Sequence, residues 1–169
     1  ASDPDWMAKT VNLAIAHGIG IGAHPAYPDL VGFGRRNMDL TPSEVRNAVT
    51  YQIGALAAFT PDRKLQHVKP HGALYNTAVR DEAVAEAIVS AVKAFDPELI
   101  HVVLAGSQWE SIARAQGVRV ARECYADRAV TAQGTLVPRS QSGAVVHDPA
   151  QVVERSLKLA TEGKVTAID

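Results

Sequence analysis

The chain has 169 residues, of which 47% are hydrophobic and 21% are charged, and this composition is typical of one ordinary globular domain. Acidic and basic residues are interspersed and sum to a formal net charge of −1, so no basic stripe is available for nucleic acid or anionic lipid. The apolar runs are too short to cross a bilayer, and we therefore expect neither a nucleic-acid nor a membrane partner.

The single cysteine and the first residues bear on the compartment. Cys124 has no partner for an internal disulfide, and no charged leader with an apolar segment opens the chain. A cytoplasmic protein is the simplest interpretation. We expect Cys124 to be a buried structural thiol and not a nucleophile.

The apolar periodicity predicts helices that alternate with strands. Helical spacing and capping signals predict helices from Asp3-Pro4 to about His17, from Thr41-Pro42-Ser43-Glu44 to about Phe59, from Ala83 to Phe95, from Ser107 to about Gln116, and from Asp148-Pro149 to Gly163. Short apolar runs predict strands at 19–23, 65–69, 100–104 and 118–123, and a further strand beginning at 165–168. Residues 131–146 lose this period and predict a loop or a small hairpin that carries Arg139.

This alternation favours parallel strands joined by right-handed helical crossovers. The carboxyl ends of parallel strands lie on one edge of a sheet, where ligands of such folds bind. Three of the predicted strands deliver polar side chains to that edge: His24, then Lys69 with His71, then Asp127 with Arg128. We expect these side chains to converge on one rim.

The stretch from His67 to Asn76 concentrates the chemistry of the chain. Pro70 cannot continue strand pairing because it lacks an N–H, so the polar residues that follow sit at a strand end. Lys69, His71 and Tyr75 are grouped around Pro70, which restricts the backbone, and Gly72, which allows conformations that other residues avoid. Each polar residue alone is more often a surface or core residue, but their grouping at a strand end favours a site.

The segment 24–36 is a long loop with two prolines and two glycines, and it exposes aromatic and guanidinium groups. Loops of this length inside a compact domain are usually functional. We interpret it as a loop that covers an anion or a substrate, and the alternative is a surface crossover with solvated Arg35 and Arg36. No dinucleotide, Walker A, nucleophile-elbow, CxxC or HExxH motif is present.

Four segments together carry a family resemblance. They are Gly22-Ala23-His24-Pro25-Ala26-Tyr27-Pro28-Asp29, Gly32-Phe33-Gly34-Arg35-Arg36, His67-Val68-Lys69-Pro70-His71-Gly72-Ala73-Leu74-Tyr75-Asn76 and Ala126-Asp127-Arg128. In this order they resemble the LamB/YcsF family over nearly the whole chain. The resemblance implies an irregular, seven-stranded type of β/α barrel similar to the glycoside hydrolase/deacetylase barrels. Residues 1–169 would form one such domain, incomplete at both ends because the acidic first motif and the last His-Gly-Asp motif are missing.

The resemblance also implies an activity. Family members act with two partner subunits, B and C, to hydrolyse the cyclic amide 5-oxo-L-proline to L-glutamate at the expense of ATP. We expect His24, Lys69, His71 and Asp127 to be catalytic, because a lactam needs carbonyl activation and a base for water. We expect the substrate to be bound by Tyr27, Arg35, Tyr75, Asn76, Arg128 and Arg139.

Three questions stay open from the sequence. Since related barrels use Asp and His ligands, a divalent metal is a rival role for His24, His71 and Asp127, although no close ligand spacing demands one. No ATP motif is visible, so nucleotide binding by this chain is an open question, and ATP is expected as a co-substrate of the complex. A metal-dependent amide hydrolase or deacetylase acting alone is one alternative function, and a non-catalytic assembly subunit or degenerate fragment is another.

Overall fold

The structure is a computed structural model that describes residues 3–164 and 167. These residues form six α-helices and four strands. In chain order the elements are α1 (Pro4–Ala16), β1 (Gly22–Ala23), α2 (Pro42–Ala57), β2 (His67–Val68), α3 (Gly72–Ala78), α4 (Glu82–Phe95), β3 (Ile100–Leu104), α5 (Gln108–Ala115), β4 (Arg119–Glu123) and α6 (Pro149–Glu162). A 3₁₀ turn at Pro61–Arg63 precedes β2.

The four strands form one parallel sheet in the order β1-β2-β3-β4. Gly22 pairs with His67, His67 with Ile100, and Ile100 with Arg119, so neighbouring strands begin nearly level. The predicted alternation of strands and helices is therefore confirmed. All four strands direct their carboxyl ends to the same edge, which is where the sequence predicts the polar side chains.

Local capping signals explain where the first two long helices begin. The Asp3 side chain accepts a hydrogen bond from the Trp6 amide at the start of α1. At the start of α2 the Thr41 hydroxyl accepts from the Glu44 amide, and the Glu44 carboxylate accepts from the Thr41 amide. These bonds satisfy amides that a helix start leaves without partners. The residues that form them can be recognised in the sequence, so both helix starts are predictable.

The core lies where α2 and α4 pack against the sheet. Val49, Ile53, Val68, Ile88 and Val92 have no exposed surface. Burying side chains of this size stabilises a fold by about 1.5–3 kcal/mol each relative to exposure. This core gives the strand ends a rigid base.

Several sequence predictions need correction. β1 and β2 have two residues each and are shorter than predicted, although the Gln66 amide still donates to the Ile21 carbonyl ahead of the paired residues. Helix α3 is absent from the sequence predictions, because it begins at a glycine and has seven residues. Cys124 is exposed and not buried, since it follows β4, whose outward residues at the sheet edge lie in solvent.

The two terminal regions complete the comparison with the sequence. Residues 128–145 contain two isolated antiparallel bridges, Arg128 with Val145 and Val130 with Leu136, which confirms the predicted loop or small hairpin. The strand predicted at 165–168 lies outside the described residues. No helix in the described part of the chain is long and apolar enough to span a membrane.

Candidate functional site

A pocket of about 500 Å³ lies at the carboxyl ends of the strands. Volumes of this size are typical of sites for small ligands. Most of its polar lining residues carry side-chain nitrogen atoms. No aspartate or glutamate is among the described residues that line it. The polar and charged residues of the lining are His24, Arg35, Asn37, Lys69, His71, Tyr75, Asn76, Arg80, Tyr125, Arg128, Thr135 and Arg139.

Two histidines from neighbouring strand ends meet at this pocket, and we call them the imidazole pair (His24 and His71). The Nδ1 atom of His71 lies 2.9 Å from Nε2 of His24, and the ring centroids are 4.8 Å apart in an edge arrangement. Nδ1 of His24 lies 2.5 Å from the Lys69 carbonyl oxygen, and Nε2 of His71 lies 3.0 Å from the Phe33 carbonyl oxygen. Every ring nitrogen of the pair therefore has a partner.

Backbone bonds hold His71 where it can reach His24. The His71 amide donates to the Pro25 carbonyl at 2.8 Å, and the Ala73 amide donates to the Gly34 carbonyl at 3.0 Å. Gly72 between them has a positive φ of 56°, and a Cβ at this position would lie 2.6 Å from the Gly34 carbonyl oxygen. Only glycine accepts both constraints, so Gly72 is what lets the turn before α3 approach the long loop.

The long loop 24–36 is closed by an ion pair of its own. Asp29 accepts hydrogen bonds from the Gly32 amide and from the Arg36 guanidinium. Arg36 lowers the pKa of Asp29 to about 2, so the carboxylate stays charged. Arg36 therefore stabilises the loop, whereas Arg35 lines the pocket.

Glu123, at the end of β4, is a charged neighbour of the pocket that sequence reasoning missed. Its carboxylate forms an ion pair with Lys69 and accepts a hydrogen bond from the Tyr125 hydroxyl at 2.7 Å. Residues 69 and 123 are far apart in the chain, and only the parallel order β2-β3-β4 brings their strand ends together. The strand-end position of Glu123 was the one signal available.

Two arginines reach the pocket from the segment after β4. Arg128 is buried and donates to the Ala144 and Val137 carbonyls, and its pKa is lowered by burial and by the nearby Arg139. Arg139 is exposed on the pocket lining. Arg155 of α6 donates to the Ala126 and Arg128 carbonyls and so ties this segment to α6.

Not every predicted site residue reaches the pocket. Asn76 lines it, and Tyr75 lines it from a buried position. Tyr27 is only 5% exposed, packs in the hydrophobic core and is absent from the pocket lining, so its contact with substrate stays a prediction. Asp127 is exposed and lies outside the pocket lining, because its turn directs the neighbouring Arg128 inward instead.

The metal alternative does not fit the donors that are present. Each nitrogen of the imidazole pair already contacts a carbonyl oxygen or the other ring. Asp127 is not close enough to complete a set, and the described residues contain no group of three or more His, Cys, Asp or Glu side chains placed to hold a metal ion. We therefore derive no step through a metal.

Comparison with known proteins decides the family. A sequence model of the LamB/YcsF family matches residues 1–169. The chain belongs to the LamB/YcsF family. The resemblance inferred from the four motif segments is thereby confirmed.

Similar proteins agree with this assignment. The chain is 57% identical over 171 residues to the A subunit of 5-oxoprolinase from Syntrophobacter fumaroxidans and 53% identical to that from Pyrococcus furiosus, covering all of this chain and 68% and 67% of those proteins. A crystal structure of the lactam utilization protein from Thermus thermophilus is 50% identical and has a TM-score of 0.89, over all of this chain and 69% of that one. This likeness confirms the predicted α/β fold class and is consistent with a barrel-like fold.

Proposed function

We propose that this LamB/YcsF chain is the A subunit of an ATP-dependent 5-oxoprolinase and that its pocket holds 5-oxo-L-proline while the ring amide is hydrolysed to L-glutamate. The observation that carries the proposal is the convergence of His24, Lys69 and His71 on one small cationic pocket. The names of the relatives at 53–57% identity supply the substrate class.

The charge of the pocket suits a small carboxylate. Among the described residues, Arg35 and Arg139 have no ion-pair partner, while Lys69 is paired with Glu123. Guanidinium groups bind carboxylates with two parallel hydrogen bonds, and Arg35 and Arg139 are available for this. A lactam that carries one carboxylate therefore matches both the size and the sign of the pocket.

The reacting groups suit amide hydrolysis. Opening a lactam requires stabilisation of charge on the carbonyl oxygen, a base for water and an acid for the departing nitrogen. The imidazole pair can accept and donate protons close to neutral pH. We assign proton transfer to His24 and His71, and substrate positioning to Lys69 and the arginines.

ATP and the partner subunits B and C belong to the same proposal. Hydrolysis of a resonance-stabilised amide is assisted when its oxygen is activated, and ATP is the co-substrate that we propose for the complex. We further propose that the complex works in the cytoplasm.

The test is cleavage of 5-oxoproline by the purified chain, alone and mixed with subunits B and C. We expect ATP-dependent glutamate only from the full mixture. Lys69→Met should raise KM and lower kcat, because it removes a charge that binds substrate. Robust turnover by the chain alone would contradict dependence on partners, and unchanged kinetics of Lys69→Met with an unchanged melting temperature would remove Lys69 from the site.

A matched variant separates the effect of charge on KM from the effect of folding stability in this test. Glu123→Gln keeps a side chain of the same shape but removes the negative charge beside Lys69. Lost ion pairing of this partly buried kind costs about 1–3 kcal/mol. We expect Glu123→Gln to lower stability and Lys69→Met to change KM more than Glu123→Gln does. A non-catalytic assembly subunit would instead leave both KM values unchanged.

A further inference from the structure

The hydrogen bonds of the imidazole pair determine how many protons it carries. A carbonyl oxygen only accepts, so Nδ1 of His24 facing Lys69 and Nε2 of His71 facing Phe33 must both bear hydrogen. A neutral imidazole has hydrogen on one nitrogen only. If both rings were neutral, Nε2 of His24 and Nδ1 of His71 would be bare.

Those two nitrogens lie 2.9 Å apart, which is the distance of a hydrogen bond. Two bare nitrogens would direct lone pairs at each other across this gap. The contact is satisfied only when a proton lies between them. We infer that in the resting protein His24 and His71 share one excess proton, so that the pair holds three ring hydrogens and a charge of +1.

The surroundings show which ring carries the charge. Partial burial lowers the pKa of His24, and the neighbouring His71 and Lys69 lower it further, while the bond to the Lys69 carbonyl opposes them. Two carboxylates of this region are already engaged, Glu123 with Lys69 and Asp29 with Arg36. His24 is therefore the neutral acceptor, and His71 is the imidazolium.

Phe33 acts as a positioning residue for this state. Its carbonyl accepts from Nε2 of His71, and its ring meets the His71 ring edge-on at a centroid distance of 5.3 Å. Phe33 has a positive φ of 54°, a conformation that non-glycine residues rarely adopt. The strained backbone turns the carbonyl toward His71 and selects the doubly protonated ring.

The catalytic use of the shared proton rests on the proposed function. In amide hydrolysis water adds to the carbonyl carbon and the carbon–nitrogen bond breaks. One hydrogen bond of His71 opens, the ring nitrogen of the lactam takes the proton freed there, and the proton released by water restores the bond. The pair is then returned to its charge of +1, so each turnover leaves it ready for the next.

The inference is tested without activity by nitrogen-15 NMR of the whole chain with labelled histidine rings. Signals of His24 and His71 are assigned from single variants, and exposed His147 serves as the reference ring. At neutral pH we expect both nitrogens of His71 and Nδ1 of His24 to carry hydrogen. Two hydrogens on the four nitrogens would overturn the inference.

A variant adds a second readout. In His24→Ala, Nδ1 of His71 loses its acceptor, so at neutral pH we expect His71 to carry hydrogen on Nε2 alone. His147→Ala should leave both hydrogens of His71 in place. Two hydrogens on His71 in both His24→Ala and the unaltered chain would show that the proton is not shared.

The two proposals fail in different ways. Three ring hydrogens together with an inactive three-subunit mixture would overturn the proposed function and leave the shared proton standing. Two ring hydrogens together with an active mixture would do the reverse.

Discussion

The imidazole pair and an aromatic cluster of Tyr75, His101 and Trp109 differ in whether their polar atoms have hydrogen-bond partners. In the pair every ring nitrogen has a partner. In the cluster the Tyr75 hydroxyl, Nε2 of His101 and Nε1 of Trp109 are buried without one, as far as the described residues go. The rings of Tyr75 and His101 each meet Trp109 edge-on, at 5.2 and 5.1 Å.

This difference distinguishes the roles of His101 and His71. His101 has no exposed surface, and only its Nδ1 reaches an acceptor, the Val68 carbonyl at 3.3 Å. One hydrogen suffices for that ring, and burial lowers its pKa to about 4. His101 is a neutral packing residue of β3, whereas His71, with acceptors on both sides, is held in the state that can give up a proton.

The largest expected effect comes from breaking the pair. His71→Asn should lower turnover of the three-subunit mixture by roughly 10²–10⁴, the usual contribution of a positioned proton-transfer group, while the fold persists. The measurement is kcat beside thermal melts, with exposed His147→Asn as the control. A loss of activity no greater than the loss of folded protein would assign His71 to packing.

The second effect is the pH dependence of stability that His101 confers. Its pKa is about 4 in the folded chain and about 6.5 when unfolded, so between these values the unfolded state binds more protons. Stability should therefore fall by roughly 2–4 kcal/mol as the pH drops from 6.5 to 4, and this loss should level off below 4. Urea unfolding over this range checks it.

His101→Gln provides the matched comparison, because glutamine does not titrate there. The variant should be less stable at pH 7 but should lose less stability on acidification than the unaltered chain. Parallel pH curves for the two proteins would show that folding does not change the pKa of His101.

The same contrast explains what the sequence could predict. Most elements and their order can be predicted because the signals act locally. Examples are the helix caps at Asp3 and Thr41 and the apolar run at 100–104. The parallel order then implies that His24 and His71 share an edge. Their ring-to-ring contact depends on the Phe33 and Lys69 carbonyls, whose directions no side-chain pattern encodes.

Errors arose where tertiary contacts override local signals. Glu123 was missed because its role comes from Lys69 on a strand two positions away in the sheet. Tyr27 is predicted to contact substrate, but an aromatic residue in a long loop can equally fill the core, as it does here. Asp127 and Arg128 were expected at the rim together, but adjacent residues of a turn point apart, and Arg128 lines the pocket alone.

A third prediction concerns the buried hydroxyl of Tyr75, which is 4% exposed. Burial, and then the nearby Tyr125 and Glu123, raise the pKa of this hydroxyl far above the usual value, so it stays protonated. Although these two side chains lie close, the hydroxyl forms no hydrogen bond of ordinary geometry with either. A buried hydroxyl without a partner costs about 1–3 kcal/mol, and Tyr75→Phe should therefore raise the stability of the chain by about 1 kcal/mol. The check is the free energy of unfolding in urea.

Kinetics of the same variant show whether the hydroxyl serves the pocket. Tyr75 lines it, so a hydroxyl that donates to substrate predicts a higher KM in Tyr75→Phe. A variant that is less stable than the unaltered chain would mean that the hydroxyl has a partner in solution, and the contrast with the imidazole pair would then be lost.

The smallest effect tests the strain at Phe33, which supports the pair. Its side chain is 67% exposed, so replacing it removes little burial, but its positive φ is costly for any residue except glycine. We compare Phe33→Gly with Phe33→Ala, because both lose the ring and only glycine relieves the backbone. Phe33→Gly should be the more stable variant by about 1 kcal/mol.

This order is the reverse of what an ordinary exposed site gives, where glycine is the less stable choice because it leaves the unfolded chain more freedom. If alanine proved the more stable variant, the left-handed conformation at Phe33 would not exist in solution, and its carbonyl would not be fixed toward His71. If glycine is more stable and the nitrogen-15 signals of His71 are unchanged, the carbonyl alone selects the charged ring. A change in those signals in both variants would assign that selection to the Phe33 ring, which meets His71 edge-on.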